Sequence, residues 1–205
     1  MIAIVDYGMG NLGSIANMLK KVGVESTITS DPLVIEAAEK LILPGVGAFD
    51  FGMKNIAQRQ LVDSLNVQVT QRKKPILGLC LGMQLFTRGS EEGRLRGLGW
   101  LDAETVRFKF GAADPHLKIP HMGWNTLHIK RSHPLLTDLV TEARFYFVHS
   151  YYVVCSNNDN VLATTCYGYD FPSMVAQDNI LGAQFHPEKS HKFGMKLLKN
   201  FAEHV

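Results

Sequence analysis

The sequence is poor in cysteine and has no long apolar run. Its 205 residues include three cysteines at irregular spacing. This odd number argues against a disulfide framework and for a reducing compartment. No apolar stretch approaches the roughly 20 residues that a transmembrane helix needs, and the N-terminus lacks a signal-peptide pattern. We therefore expect a cytoplasmic protein that does not enter a membrane.

An excess of one charge sign is also missing. The chain has 21 basic and 19 acidic residues, a net charge of +2. The basic cluster at residues 71–74 is short and typical of a solvated helix end, so it does not indicate a nucleic-acid partner. The chain is long enough for one domain with its own core, and it shows no repeat or linker. We expect a single domain over residues 1–205.

The order of elements changes near the middle of the chain. Strand patterns in the first part alternate with helical patterns; the strands fall at 2–5, 25–29, 41–43 and the start of 75–84, and the helices at 14–22, 32–39 and 55–71. This alternation predicts an α/β fold with a doubly wound, flavodoxin-like sheet. Later segments favour antiparallel pairing: short strands at 100–109, 117–119, 126–130, 145–154 and 161–167, and a hairpin at 173–185 that turns at 178–179. A helix at 190–202 closes the chain. We therefore expect a mixed sheet with an antiparallel second half.

The segment 74–84 has the pattern of a nucleophile elbow. Gly78 and Gly82 lie two residues on either side of Cys80, at the junction of a predicted buried strand and a helix. Glycines at these positions let strand and helix approach closely while the central residue takes a strained turn. A thiol at the start of a helix faces backbone N–H groups that favour its anion. This pattern predicts that Cys80 is a nucleophile.

A cysteine nucleophile needs a base, and His186 is the best candidate among eight histidines. It ends a predicted core strand, and Glu188 follows two residues later. In an extended segment, residues two apart point the same way, so the carboxylate can reach the imidazole and orient it. The other histidines fit no common zinc spacing, and we expect no metal site.

Two glycine-bearing loops follow predicted strands. The loop 44–47 can supply a backbone N–H to an oxyanion hole, with the N–H of Leu81 as a second donor. The loop 8–13 has the glycine spacing of a dinucleotide-binding fingerprint. Asp31 lies just beyond the second strand, where a dinucleotide-binding site usually has an acidic residue. The remaining motifs favour thiol chemistry, and we expect no cofactor.

Five segments in order resemble motifs of the triad, or class I, glutamine amidotransferases, and most closely those of the glutaminase subunits of imidazole glycerol phosphate synthase: 6–12, 44–47, 78–84, 121–125 and 184–190. The resemblance implies the fold of that class. It also implies a thioester formed between glutamine and Cys80, with His186 as general base and acid and Glu188 orienting it. Val46 and Leu81 would form the oxyanion hole, and the loop around Val46 is expected to change conformation.

The resemblance also implies a substrate and a partner. Glutamine would be held by Gly47, Gln84, Glu92, Ser150 and Tyr151, with Glu91 as a substitute for Glu92. The partner would be a cyclase subunit with a (β/α)8 barrel in a 1:1 heterodimer. It would receive the ammonia and make imidazole glycerol phosphate and an aminoimidazole carboxamide ribonucleotide, in histidine biosynthesis. The interface positions would be Asn11, Trp124, Tyr146 and Lys189.

Two other functions stay open. A stand-alone γ-glutamyl thiol hydrolase on the same fold would need no partner, but it would leave the motif at 122–125 without a role. A non-catalytic binding subunit with a vestigial site is disfavoured because Cys80, His186 and Glu188 are all present.

Overall fold

The computed structural model describes residues 1–111, 116–140 and 142–205. Its strands within these ranges are β1 Ile2–Val5, β2 Ser26–Thr29, β3 Lys40–Gly45, β4 Ile76–Cys80, β5 Ala103–Arg107, β6 His121–Thr126, β7 His128–Ile129, β8 Arg144–His149, β9 Tyr151–Cys155, β10 Val161–Tyr167, β11 Tyr169–Gln177 and β12 Ile180–Ala183. Its α-helices are α1 Leu12–Lys21, α2 Pro32–Ala37, α3 Phe49–Gln58, α4 Val62–Asn66, α5 Leu81–Leu85 and α6 His191–His204. Among the described residues, no helix is both long and apolar enough to cross a bilayer.

The main sheet has eight strands in the order β2-β1-β3-β4-β12-β11-β10-β7. The first five strands of this order pair in parallel, and β12, β11, β10 and β7 pair antiparallel. Two separate antiparallel pairs, β5-β9 and β6-β8, complete the strands of the described chain. The predicted α/β class, the doubly wound mixed sheet and the antiparallel second half are confirmed.

The sheet is covered on both faces, as its near-continuous apolar strands require. All four residues of β1 are buried, and they alternate between two core clusters, with Ile2 and Ile4 in one and Ala3 and Val5 in the other. This alternation follows from the period of two in a strand, and it fixes which helices pack on which face.

Some predicted elements are wrong in their bounds. The helix expected over 55–71 is interrupted: α3 ends at Gln58, Gln60 has a left-handed φ of 56°, and α4 continues into the π-helical segment Val67–Gln71. A left-handed residue cannot continue a right-handed helix, which is why the chain breaks there.

Three of the short predicted strands also differ. Residues 117–119 form no strand, and the strand expected at 126–130 is divided between β6 and β7. The strand expected at 145–154 consists of β8 and β9, which pair with different partners in different small sheets. The predicted hairpin is confirmed: Gln177 pairs with Ile180, and the turn at Asp178 and Asn179 begins with a φ of 51°.

The junction of β4 and α5 is packed against β3 so tightly that it requires a glycine. A β-carbon at Gly82 would overlap the carbonyl oxygen of Leu43. Since that atom belongs to a central strand, it cannot move aside without disturbing the sheet. This contact holds the first turn of α5 against the carboxyl end of β3.

We expect Gly82→Ala to lower the free energy of unfolding by at least about 3 kcal/mol, because the new methyl group would displace backbone atoms. Gly13→Ala is the matched control: Gly13 lies in α1, and its β-carbon would meet no atom within 4 Å. Urea unfolding of both variants measures the difference. Equal stability of the two variants would contradict the proposed close contact.

Candidate active site

Cys80 ends β4 in a strained backbone conformation. Its φ is 53° and its ψ is −109°, and α5 begins at the next residue. Positive φ is rare for a residue with a β-carbon and occurs preferentially at functional sites. Gly45 is the partner of Cys80 in the β3–β4 ladder, so the loop after β3 lies beside the thiol. The predicted corner between strand and helix is therefore present, and Cys80 is at its centre.

His186 and Glu188 form a buried pair at the end of β12. The Nδ1 atom of His186 lies 2.9 Å from Oε1 of Glu188, and both side chains are only 3% exposed. The backbone N–H of His186 donates to the carbonyl of Tyr146, and the hydroxyl of Ser190 donates to the carbonyl of His186. These two bonds hold the backbone of His186 in place.

The pKa of His186 is governed by its two neighbours. Burial lowers this pKa, but hydrogen bonding and charge interactions with Cys80 and Glu188 outweigh burial and raise it to about 10. Cys80 and His186 line the same cavity, and Nε2 of His186 has no hydrogen bond to any described residue. Catalytic hydrogen bonds are commonly loose before a substrate binds. The arrangement favours a protonated imidazole.

A cavity of about 370 Å³ opens onto Cys80 and His186. This volume lies within the range of small-molecule sites. Nine residues that the sequence singled out line it: Val46, Gly47, Cys80, Leu81, Gln84, Glu92, Ser150, Tyr151 and His186. The structure therefore brings the predicted nucleophile, base, oxyanion and substrate residues to one place, with Glu188 behind the imidazole.

The two acidic candidates for the cavity differ in position. Glu92 lines the cavity, and its Oε2 accepts a 2.8 Å hydrogen bond from the backbone N–H of Phe49. Glu91 pairs instead with Lys109 at 2.8 Å and accepts from the backbone N–H of Arg107. The pKa of Glu91 is lowered, first by its hydrogen bond with Lys109. Only Glu92 of these two faces the cavity.

Two buried histidines beside the cavity were not predicted as a network. Nδ1 of His149 lies 2.8 Å from the carbonyl oxygen of Tyr151, and its Nε2 lies 3.0 Å from Nδ1 of His121. Burial lowers their pKa values, to about 3 for His149 and about 4 for His121. Both rings are therefore neutral near pH 7. No local pattern reveals this pair, because β6 and β8 meet only in the folded chain.

The carbonyl of Tyr151 fixes the tautomers of this pair. A carbonyl can only accept, so Nδ1 of His149 carries the hydrogen and its Nε2 must accept from Nδ1 of His121. Nε2 of His121 then accepts from the amide of Asn125 at 3.3 Å. The side-chain amide of Asn125 also donates to the carbonyl of Cys166 at 2.9 Å. A hydrogen-bond chain with one direction thus runs from Asn125 through His121 and His149 to Tyr151, and its last two members line the cavity.

Tyr7 is a second group that sequence reasoning missed. Its hydroxyl is buried and has no hydrogen-bond partner among the described residues, and a β-carbon at Gly45 would overlap it. Burial raises the pKa of Tyr7, and the neighbouring Cys80 raises it further. A tyrosine hydroxyl therefore lies behind the glycine-bearing loop that borders the thiol.

Three of the predicted interface residues form a surface patch in which Trp124 and Lys189 are exposed and Tyr146 is half-buried. The rings of Trp124 and Tyr146 are 6.0 Å apart, and Nζ of Lys189 lies 5.4 Å from the Tyr146 ring centroid. Trp124 is 46% exposed and stacks on His191. Asn11 is exposed ahead of α1, which contacts the turn Pro187–Lys189. Trp124, Tyr146 and Lys189 are called the aromatic patch below.

Metal ligands are not grouped in the part of the chain that the structure describes. Among residues 1–111, 116–140 and 142–205, no cluster of three or more His, Cys, Asp or Glu side chains could hold an ion.

We expect Glu188→Gln to lower the pKa of His186 by at least about one unit, because the substitution removes the negative charge that stabilises the imidazolium. NMR titration of ¹³C-labelled histidine, followed at Cε1, measures this change. Glu91→Gln, which alters a carboxylate outside the cavity, is the control and should leave the titration unchanged. An unaltered midpoint in Glu188→Gln would refute the assigned electrostatic role.

Comparison with known proteins places this site in a family. The family model "Glutamine amidotransferase class-I" matches residues 3–205. The chain is 57% identical to "Imidazole glycerol phosphate synthase subunit HisH 2" of Methanococcus maripaludis over 201 residues, covering 98% of each chain. It is 51% identical to the protein of the same name from Pseudomonas aeruginosa over 205 residues, covering 100% of each.

Solved structures agree on the fold. A crystal structure described as a glutamine amidotransferase superposes with a TM-score of 0.69 at 20% identity, covering 98% of this chain and 97% of that one. PurLQS from Thermotoga maritima gives a TM-score of 0.70 at 18% identity, covering 98% and 96%. At these identities the likeness concerns the fold alone. From the family match and the high-identity relatives, the chain belongs to the class I glutamine amidotransferases, and within them to the family of imidazole glycerol phosphate synthase HisH subunits.

Proposed function

We propose that this chain hydrolyses glutamine to glutamate and ammonia through a thioester on Cys80, as one subunit of an imidazole glycerol phosphate synthase. The observation that carries the proposal is that Cys80 and His186 line one cavity, with the carboxylate of Glu188 paired to the imidazole. A thiol, an imidazole and an orienting carboxylate are the parts that acyl transfer requires.

The reaction begins with attack of the Cys80 sulfur on the side-chain amide carbon of glutamine. The resulting tetrahedral intermediate collapses when His186 gives its proton to the amide nitrogen, and ammonia leaves. His186 then removes a proton from water, which attacks the thioester. The carbon–sulfur bond breaks, its electron pair returns to sulfur, and glutamate is released. Glu188 holds the imidazole in place throughout.

The negative charge of the intermediate needs donors, and the N–H groups of Val46 and Leu81 are proposed to supply them. Leu81 is the first residue of α5, and Val46 lies between Gly45 and Gly47, whose φ is 113°. A single backbone donor of this kind is worth roughly 2.7–4 kcal/mol of transition-state stabilisation. The glycines on either side allow the Val46 peptide to change orientation.

Glutamine is proposed to lie between Gly47, Gln84, Glu92 and the backbone of Ser150 and Tyr151. The amide nitrogen of Gln84 already donates to the carbonyl of Tyr151 and to Gln184. Both of its hydrogens are thereby engaged, so Gln84 offers its carbonyl oxygen as an acceptor to a ligand. The carboxylate of Glu92 suits the α-ammonium group of the amino acid.

We expect Cys80→Ala to abolish glutamine-dependent synthesis in the complex with the cyclase, by at least about a thousandfold, because no nucleophile remains. Synthesis from added ammonium should stay within about twofold of the unaltered complex. Cys166→Ala, at an exposed cysteine, is the control and should retain both activities. Glutamine-dependent synthesis by Cys80→Ala would remove Cys80 from the mechanism.

The names of the relatives describe a subunit, which implies a partner subunit. We propose that this partner is a cyclase with a (β/α)8 barrel, bound 1:1, and that ammonia passes to it without entering bulk water. The aromatic patch and Asn11 are the proposed contact, since tryptophan and tyrosine are typical of interface hot spots. Such a patch has no role in a stand-alone hydrolase.

Two expectations about the chain as a whole also remain proposals. We propose that residues 1–205 act as one domain, because the main sheet contains strands from both ends of the sequence. A cytoplasmic location is supported by Cys80, Cys155 and Cys166, all of which are free thiols in the structure.

We expect Trp124→Ala to weaken binding to the cyclase by at least about tenfold, because it removes an aromatic anchor from the aromatic patch. Leu33→Ala is the control, since Leu33 is a 73% exposed apolar residue on α2 outside this patch. Analytical gel filtration and calorimetric titration measure the affinity. Equal affinities for the two variants would exclude Trp124 from the interface.

A further inference from the structure

Gln184 is a fully buried amide that touches the sulfur of Cys80. It follows β12 directly, and its backbone N–H donates to the carbonyl of Ser173 at 2.9 Å. Its Nε2 atom lies 3.7 Å from Sγ of Cys80, and its Oε1 atom accepts from Nε2 of Gln84 at 3.1 Å. One side chain thus bridges the reactive sulfur and a residue of the cavity wall.

The orientation of this amide is dictated by the residues around it. The carbonyl of Tyr151 accepts from Nε2 of Gln84 at 3.0 Å, so the Gln84 nitrogen faces both Tyr151 and Gln184. Nitrogen of an amide donates and does not accept, so Gln184 must turn its oxygen toward Gln84. Its N–H group is then left facing Cys80. The Tyr151 carbonyl therefore fixes a donor against the sulfur.

We propose that Gln184 stabilises the anionic form of Cys80 and, through the same amide, holds Gln84 in position for glutamine. This inference depends on the proposed function in one respect, namely that Cys80 is the nucleophile. A hydrogen bond to an ion is stronger than one to a neutral acceptor, and a thiol sulfur is a weak acceptor. The N–H of Gln184 consequently favours the thiolate over the thiol.

The hydrogen bond from Gln184 to Cys80 acts at two stages of the reaction. Before attack, it raises the fraction of Cys80 that is ionised. When water has added to the thioester and the carbon–sulfur bond breaks, the electron pair moves to sulfur, and the same N–H stabilises the departing anion. In the thioester between these stages the sulfur carries no full charge, so the bond is weaker there.

The effect of Gln184 on Cys80 ionisation must be distinguished from the effects of other groups near the sulfur. The titratable side chains whose pKa values respond to Cys80 are His186, in the segment after β12, and Tyr7, in the loop after β1. Glu188 acts on the sulfur through His186. All three side chains are retained in variants at residue 184, so the amide is the polar group beside Cys80 that those variants remove.

The test is the pH profile of Cys80 alkylation by iodoacetamide, followed by mass spectrometry in Gln184→Met and Gln184→Asn. Methionine cannot donate, and asparagine is too short to reach both partners. We expect the midpoint of alkylation to rise by about one unit in each variant, equivalent to about a tenfold smaller thiolate fraction below the midpoint. Gln177→Met, on β11 and bonded to Asn160, is the matched control and should show no shift.

Kinetics in the complex with the cyclase separate the two parts of the proposal. Gln184→Met should lower kcat, because the anion is stabilised less at both stages. Gln84→Met should mainly raise KM, because it removes a side chain that is proposed to hold glutamine. A purely structural role for Gln184 would alter thermal stability without moving the alkylation midpoint.

A measurement on the unaltered chain covers the case in which the variants do not fold. The side-chain N–H signals of Gln184 in ¹⁵N NMR should titrate with the alkylation midpoint of Cys80 and move when Cys80 is alkylated, whereas those of Gln177 should not. Static Gln184 signals, or an unshifted midpoint in folded Gln184→Met, would overturn the proposal. The alkylation and NMR assays use neither glutamine nor the partner, so absence of glutaminase activity in the unaltered complex would count against the proposed function and not against this inference.

Discussion

The close packing of Gly82 against the Leu43 carbonyl is the contact on which the site depends. It holds the first turn of α5 against the end of β3, and the chain enters that turn with Cys80 at a φ of 53°. The thiol is thereby directed out of the sheet at its carboxyl edge. The same contact keeps Gly45 beside Cys80, so the glycine-bearing loop and the nucleophile are positioned together.

Sheet order explains how residues distant in the chain meet at this edge. β12 lies between β4 and β11 and pairs with β4 in parallel, with Ala183 opposite Leu79. The segment that follows β12 must therefore pass beside Cys80, and it carries His186 and Glu188. Reactive groups of open α/β sheets collect at such carboxyl ends because the loops there converge on one crevice. The triad results from the topology as much as from its three side chains.

Local signals explain which parts of this structure could be predicted. The elbow, the hairpin turn at Asp178 and the spacing from His186 to Glu188 are all encoded within a few residues, and the structure contains each of them. The break at Gln60 was missed because the apolar spacing continues through it. The division of 145–154 was missed because both halves have the same strand pattern and differ only in their partners.

The hydrogen bonds of the site could not be predicted from local sequence patterns, for a related reason. Gln184 reaches Gln84 and Cys80 across the β4–β12 pairing, and His121 reaches His149 across β6–β8. Such bonds depend on register between strands that are far apart in sequence, which residue spacing does not specify. The family motifs could identify some of the residues that form these hydrogen bonds, but only the folded chain shows which residues are bonded to each other.

The neutral pair of His121 and His149 sets an acid limit for the fold. Their pKa values of about 4 and about 3 lie below the ordinary value of 6.5, so the unfolded chain takes up these protons more readily. The contribution of the two neutral rings to the free energy of unfolding is complete above about pH 6.5. It declines as the pH falls, by up to about 1.4 kcal/mol per pH unit for each ring. Acidification below about pH 6.5 therefore lowers the free energy of unfolding before it protonates most surface carboxylates, because these two rings resist protonation only in the folded chain.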